Sequence, residues 1–196
     1  MTACKGGDVM HIGYALCGSY CTFAESLSVM EQLRGAGHTI LPIMSENAYS
    51  TDTRFGKATQ FRTKIEVICG CDIVHTVADA EPLGPKIKLD MLIVSPCTGN
   101  TLAKLANGIT DTAVTMACKA HLRCDRPLLI ALASNDAMSA NLENISRMLK
   151  RKSVYFVPMR QDDPKNKPHS LVADFGQIKD AISAVLDGQQ LRPLFI

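Results

Sequence analysis

The chain has 196 residues, 46% of them hydrophobic, which is enough for one domain with a substantial buried core. Its 21 basic and 19 acidic residues nearly balance, giving a formal net charge of +2. Because tryptophan is absent and aromatic residues make up only 5%, the basic and aromatic surface typical of nucleic-acid-binding proteins is not expected.

Strands and helices are predicted to alternate along the whole chain, and the central strands are unbroken apolar runs, most clearly at 91–94. Pro42 favours an edge position for the second strand. Alternation with unbroken apolar strands is typical of a parallel sheet covered on both faces. We therefore predict a single α/β domain over 1–196, a three-layer Rossmann-like (flavodoxin-like) parallel sheet with helices on both faces. The predicted strands are 11–17, 39–44, 72–76, 91–94, 128–132 and 154–157, the predicted helices 22–34, 54–70, 102–106, 113–122, 139–150 and 174–186, and the predicted loops 78–88 and 159–169.

The eight cysteines could in principle form disulfides, bind a metal or remain reduced. Disulfide frameworks are typical of small secreted domains, and zinc sites of C-x-x-C pairs, which the sequence lacks. We therefore expect reduced structural thiols and no metal site. No apolar run approaches the roughly 20 residues that cross a bilayer, and the first residues do not resemble a signal peptide, so we expect a soluble cytoplasmic protein.

Three strand ends carry residues suited to a ligand, because ligands of open parallel sheets bind beyond the carboxyl ends of the strands. Gly18-Ser19 could contact an anion, or be a tight turn in which serine caps the next helix. In the run Ser95–Thr101 small and hydroxyl-bearing residues cluster before a helix, which favours a phosphate or ring contact over simple capping by Thr98 or Asn100. Asn135 and Asp136 could read a ligand or cap the following helix.

The second of these runs resembles the central motif of the flavin-dependent cysteine decarboxylase superfamily, P-x-[ST]-[AG]-N-T-x-x-K-x-A-x-G-x-x-D. The residues that match it run from Pro96 through Thr98, Gly99, Asn100, Thr101, Lys104, Ala106 and Gly108 to Asp111. This superfamily includes phosphopantothenoylcysteine decarboxylase, lantibiotic decarboxylases and flavin prenyltransferases. The resemblance covers about residues 10–157 and implies FMN as a possible cofactor, with its phosphate near Gly18-Ser19, and a trimer or dodecamer with flavin between subunits.

Within the superfamily the chain resembles the B-subunit family of dipicolinate synthases, through 80–86, 134–137, 155–158 and the segment up to Pro168. That resemblance implies oxidation of dihydrodipicolinate to dipicolinate in the cytoplasm of the sporulating mother cell. It further implies an A subunit as partner, which would supply NADP. The alternatives are an FMN-dependent decarboxylase or flavin prenyltransferase, and a non-catalytic partner subunit.

Two departures weaken the decarboxylase alternative. Decarboxylases carry P-x-M-N where this chain has Leu132–Asn135, and their histidine before the central strand has only the distant His75 as a counterpart. A dicarboxylate substrate calls for cations, of which Arg54 is preferred over Lys57, Arg62 and Lys86 because a guanidinium can bind a carboxylate bidentately. The candidate catalytic residues are Asn100, Asn135 and Arg54, and the candidate cofactor-binding residues are Gly18, Ser19, Ser45, Ser95, Pro96, Thr98, Gly99, Asn100, Thr101 and Asn135.

Overall fold

The computed structural model describes residues 9–196, in which strands and helices alternate as the apolar pattern predicts. The strands are β1 His11–Leu16, β2 Thr39–Met44, β3 Met91–Cys97, β4 Leu128–Ser134, β5 Val154–Phe156, β6 Met159–Arg160 and β7 Leu171–Ala173. The helices are α1 Phe23–Gly35, α2 Glu46–Ser50, α3 Ala58–Cys69, α4 Val77–Ala80, α5 Gly99–Ala106, α6 Ala113–Leu122, α7 Leu142–Leu149 and α8 Ile178–Leu186, with 3-10 turns at Tyr20–Thr22 and Phe175–Gln177.

The sheet is dominated by parallel pairing, in the order β2-β1-β3-β4-β5. The last residues of β4 pair with β7, which is antiparallel and in turn pairs with β6. In this strand order the chain leaves β1 toward β2 on one side and returns to β3 on the other, which opens a crevice at the carboxyl ends of β1 and β3. The predicted flavodoxin-like fold is confirmed, with a short antiparallel extension.

Apolar side chains on the two faces of the sheet form two separate cores, as expected for three layers. Alternate strand residues point to opposite faces, so Tyr14 belongs to one core and its neighbour Ala15 to the other. The first core is closed by α1, α3 and α8, and the second by α5, α6 and α7. No helix within residues 9–196 is both long and apolar enough to cross a membrane.

Several predicted boundaries are wrong, in each case because a short element carries too little periodicity to be recognised. The predicted strand at 72–76 is a single bridge between Val74 and Ile43. The predicted loop at 78–88 begins inside α4, and the predicted loop at 159–169 begins with β6 and leads to β7. The edge position predicted for β2 is confirmed for the named strands, with the Val74 bridge beyond it.

Candidate functional site

The loops that follow β1, β3 and β4 meet at the carboxyl edge of the sheet. The main-chain N–H of Cys17, at the end of β1, donates to the carbonyl of Pro96 at 3.1 Å. The hydroxyl of Ser19 donates to the carbonyl of Ala133, near the end of β4, at 2.9 Å. The three strand ends singled out in the sequence are therefore held together by direct hydrogen bonds.

Main-chain donors at this edge are left without protein acceptors. The N–H groups of Gly18, Ser19, Gly99 and Asn100 donate to no acceptor within residues 9–196. The last two lie in the first turn of α5, where N–H groups have no partner inside the helix. Such unpaired amides at a strand-to-helix turn are the donors that proteins use to bind phosphate and other anions.

Ser95 lies below this edge rather than at it. Its side chain is fully buried, and its Oγ lies 3.0 Å from the Tyr14 hydroxyl and 3.2 Å from Ser26 Oγ. The Ser26 hydroxyl also donates to the Ser95 carbonyl at 2.6 Å. Burial raises the pKa of Tyr14 to about 12, so its phenol stays protonated. The Ser95 side chain therefore fixes the end of β3, and the ligand contact expected of Ser95 stays a prediction.

The threonines of the loop also bond mainly to one another. Thr98 caps α5, accepting from the Thr101 N–H at 3.2 Å and donating to Thr101 Oγ1 at 3.1 Å. The buried Thr101 hydroxyl in turn donates to Cys17 Sγ at 3.2 Å. Burial raises the pKa of Cys17 to about 11, so the thiol is neutral at physiological pH and serves as a packed acceptor. The capping alternative considered for Thr98 is thus present in the structure.

A second polar cluster follows β4 and lies against the start of α5. The Asp136 carboxylate accepts from the Ser134 hydroxyl, and from Asn141 Nδ2 at 2.9 Å. These hydrogen bonds, that from Ser134 first, lower the pKa of Asp136. Gly99 touches the cluster so closely that a Cβ there would lie 2.6 Å from Asn141 Nδ2. Asn141 was missed from the sequence, because it lies six residues beyond the recognised Asn135.

The amides of Asn100 and Asn135 are exposed polar side chains of this edge that have no protein partner within residues 9–196. Ser45 lies at the end of the neighbouring β2, where its N–H donates to the Leu16 carbonyl at 3.0 Å. Its hydroxyl caps α2 by accepting from the Ala48 N–H at 3.3 Å.

The basic residues considered as partners of a substrate carboxylate lie on separate segments of the chain. Arg54 lies in an exposed loop, with its guanidinium 4.9 Å from the ring centroid of its neighbour Phe55. Arg62 lies in α3 against Tyr49, which stacks on His75. Lys86 lies in the segment that leads into the amino end of β3, beside the close contact of Gly84 with α6, and so away from the carboxyl edge.

Within residues 9–196 no three histidine, cysteine or acidic side chains are grouped to hold a metal ion. The seven cysteines described are free thiols.

A cavity of about 830 Å³ lies at the amino edge of the sheet, opposite the candidate site. It is lined by residues such as Met10, Asp90, Pro127 and Ser153 at the amino ends of the strands. It contains none of the predicted site residues, and ligands of parallel sheets bind at the other edge.

Comparison with known proteins places these features in a family. A family model described as Flavoprotein matches residues 6–187. The B subunit of dipicolinate synthase from Bacillus subtilis is 39% identical over 196 residues, which is 100% of this chain and 96% of that protein. The crystal structure of the corresponding B subunit from Bacillus halodurans superimposes with a TM-score of 0.87 at 41% identity, covering 95% of this chain and 96% of the other.

A more distant solved structure agrees with the same fold. The FMN-dependent cysteine decarboxylase SpaF superimposes with a TM-score of 0.66 at 25% identity, covering 93% of this chain and 98% of the other. The resemblance inferred from the motif at 96–111 is confirmed by the family match, which spans that motif and the loops after β1 and β4. The chain belongs to the flavoprotein family and is similar over its whole length to B subunits of dipicolinate synthase.

Proposed function

We propose that the chain is an FMN-binding B subunit that acts with a separate A subunit to oxidise dihydrodipicolinate to dipicolinate during sporulation. Its similarity to two dipicolinate synthase B subunits over almost their whole lengths supports this assignment. The structural observation that carries it is the set of four main-chain N–H groups, of Gly18, Ser19, Gly99 and Asn100, at the crevice between β1 and β3. The Gly18 and Ser19 donors suit the phosphate of a mononucleotide, and those of Gly99 and Asn100 suit uncharged acceptors on its ring.

The residues at the edge fit a flavin mononucleotide. The turn at Gly18-Ser19 offers donors to a phosphate, and a Cβ at Gly18 would meet only the ring of Tyr20, at 3.6 Å, which leaves space for a ligand. The free amides of Asn100 and Asn135 can both donate to and accept from a heterocyclic ring. When bound, the flavin would supply a two-electron acceptor. Ser45, Pro96, Thr98 and Thr101 would hold the surrounding loops in place.

The reaction removes two electrons and two protons from a dihydropyridine, formally a hydride and a proton, and NADP on the A subunit is the final electron acceptor. In this proposal Arg54 binds a substrate carboxylate, and the amides of Asn100 and Asn135 orient the rings by hydrogen bonding. The neutral Cys17 thiol below the loop takes no part in the chemistry.

Flavin binding is tested by replacing one donor. The φ of Ser19 is −78°, which proline can adopt, so Ser19→Pro removes the N–H group with little change in φ. Ser19→Ala is the matched control, because it loses the hydroxyl and keeps the N–H. We expect Ser19→Pro to bind FMN about 10- to 100-fold more weakly than Ser19→Ala in a fluorescence titration, from the loss of a hydrogen bond to a charged group.

Riboflavin, which lacks the phosphate, should bind both Ser19 variants equally. Equal FMN affinities of the two variants would contradict the phosphate assignment. A purified protein that carries no flavin and gains none on addition of FMN would contradict cofactor binding itself.

The reaction is tested by mixing the purified chain with an A subunit, dihydrodipicolinate and NADP, and following dipicolinate by its absorbance. Formation no faster with the chain than without it would rule out the proposed oxidation. The similarity to SpaF makes decarboxylation of a cysteine-ended peptide the second candidate. Release of carbon dioxide from such a peptide, with no effect on dipicolinate formation, would favour that candidate instead.

A further inference from the structure

Three side chains form a stack beside the candidate site. The rings of Tyr49 and His75 are parallel to within 6°, with centroids 3.8 Å apart. The guanidinium carbon of Arg62 lies 4.4 Å from the Tyr49 centroid. Because the imidazole covers one face of the phenol ring, the guanidinium lies on the other face, in a cation–π contact. The stack therefore holds the half-buried Arg62 side chain in one place.

The stack is attached to the carboxyl edge of the sheet. The N–H of Tyr49 donates to the carbonyl of Ser45 at 2.9 Å. The N–H of Ser45 in turn donates to the carbonyl of Leu16 at the end of β1. The Tyr20 hydroxyl, next to the Gly18-Ser19 turn, donates to the carbonyl of Asn47 in α2 at 2.9 Å. His75 follows Val74, which bridges to Ile43 near the carboxyl end of β2.

The guanidinium of Arg62 has no acidic side chain within salt-bridge distance in residues 9–196. It forms no hydrogen bond within that range either, although Lys64 on the same helix pairs with Glu31. The carboxylate of Glu46 accepts from the Ala113 N–H at 3.0 Å, and that of Asp52 from the Ala58 N–H at 2.8 Å. A fixed guanidinium with free donors can take a carboxylate through two parallel hydrogen bonds.

We propose that Arg62, held by Tyr49 and His75, binds one carboxylate of the dicarboxylate substrate and determines the preference for two carboxylates over one. The inference rests on the proposed function and deepens it by naming a second cation beside Arg54. Arg54 lies in an exposed loop, and its cation–π contact is with its own neighbour Phe55, so its position is less defined than that of Arg62. Tyr49 and His75 are positioning residues.

The test uses titration calorimetry to measure binding of pyridine-2,6-dicarboxylate and pyridine-2-carboxylate to the FMN-loaded complex of the chain and an A subunit, together with kcat and KM. In Arg62→Gln we expect the dicarboxylate to bind about 10- to 100-fold more weakly and the monocarboxylate nearly unchanged, the size expected for one lost charged hydrogen-bond pair. KM should rise with little change in kcat. Arg62→Lys should be intermediate, since lysine keeps the charge and loses the planar fork.

Positioning by the stack is tested with Tyr49→Phe, which keeps the aromatic face and should behave as wild type, and Tyr49→Leu, which should lose part of the dicarboxylate preference. Lys64→Gln is the control for a lost charge on the same helix, and its melting temperature should match that of Arg62→Gln. A dicarboxylate preference in Arg62→Gln equal to that of Lys64→Gln would overturn the inference while leaving the proposed function intact. Failure of the wild-type complex to bind or form the dicarboxylate would overturn both.

Discussion

Replacing Gly99 by alanine tests how the loops after β3 and β4 are joined. The added Cβ would lie 2.6 Å from Asn141 Nδ2 and 2.8 Å from Asp136 Oδ1, and would also overlap Ser134 Oγ. These three side chains are hydrogen-bonded to one another through the Asp136 carboxylate, so none can move alone. Overpacking of this kind costs about 1–3 kcal/mol. The gain in helix propensity from glycine to alanine is smaller, at most about 1 kcal/mol, so the clash decides the sign.

We therefore expect Gly99→Ala to lower the free energy of unfolding, measured by urea denaturation, with a loss of about 2–4 °C in melting temperature per kcal/mol for a chain of this size. Gly35→Ala is the matched control, because Gly35 also lies in a helix and its Cβ would meet no atom within 4 Å. That variant should be as stable as wild type or slightly more stable.

A double variant tests whether Ser134 Oγ causes the destabilisation in Gly99→Ala. Adding Ser134→Ala removes the nearest obstruction to the new Cβ, so the two destabilising effects should be less than additive. If Gly99→Ala unfolds at the same urea concentration as wild type, or if the double variant shows no coupling, the packing argument is refuted.

Three further measurements test the buried groups around the sheet. Tyr14→Phe should lose about 1–3 kcal/mol of unfolding free energy, because the Ser26 carbonyl loses a buried donor. It should also lack the phenol ionisation that is expected near pH 12 in the ultraviolet absorbance of wild type. Mass-mapped alkylation at pH 8 should modify the exposed Cys21 well before the buried Cys17, whose pKa is raised to about 11; equal rates would contradict its burial. Burial lowers the pKa of His121, so the unfolded chain takes up its proton at a higher pH than the folded protein does. The free energy of unfolding should therefore decrease between pH 7 and pH 5.5, and it should decrease less in His121→Phe than in wild type.

The parts of the fold that could be predicted are those with long apolar runs. β3 and β4 are buried on both faces, so nearly every residue is apolar, and the edge strand β2 is marked by Pro42. The carboxyl edge could then be located, because the chain order of strands and helices places the three polar loops there. β6 and β7 could not be predicted, because they have only two and three residues and form only by pairing beside the end of β4.

Side-chain roles within the loops could not be predicted either, because they depend on partners far away in sequence. Ser95 was expected at the ligand, but the register of β3 shifts between Val94 and Cys97 and its hydroxyl reaches Tyr14, 81 residues away. Asp136 and Asn141 pack against Gly99 only because β3 and β4 are adjacent. The local sequence indicates which residues are polar, whereas tertiary packing decides which of them have no protein hydrogen-bond partner and can contact a ligand.

The charge of Asp136 distinguishes the Gly18-Ser19 turn from the loop after β3 as a place for a phosphate. The Asp136 carboxylate lies beside Gly99, and its lowered pKa keeps it ionised at the N-terminus of α5, where a negative charge stabilises the helix dipole. The same charge repels a phosphate placed there. Under the proposed function, the Gly18-Ser19 turn would therefore hold the phosphate, and the loop after β3, with the exposed amide of Asn100, would face the ring. The loop that first suggested an anion site from its hydroxyl groups thus uses those groups to hold itself in place.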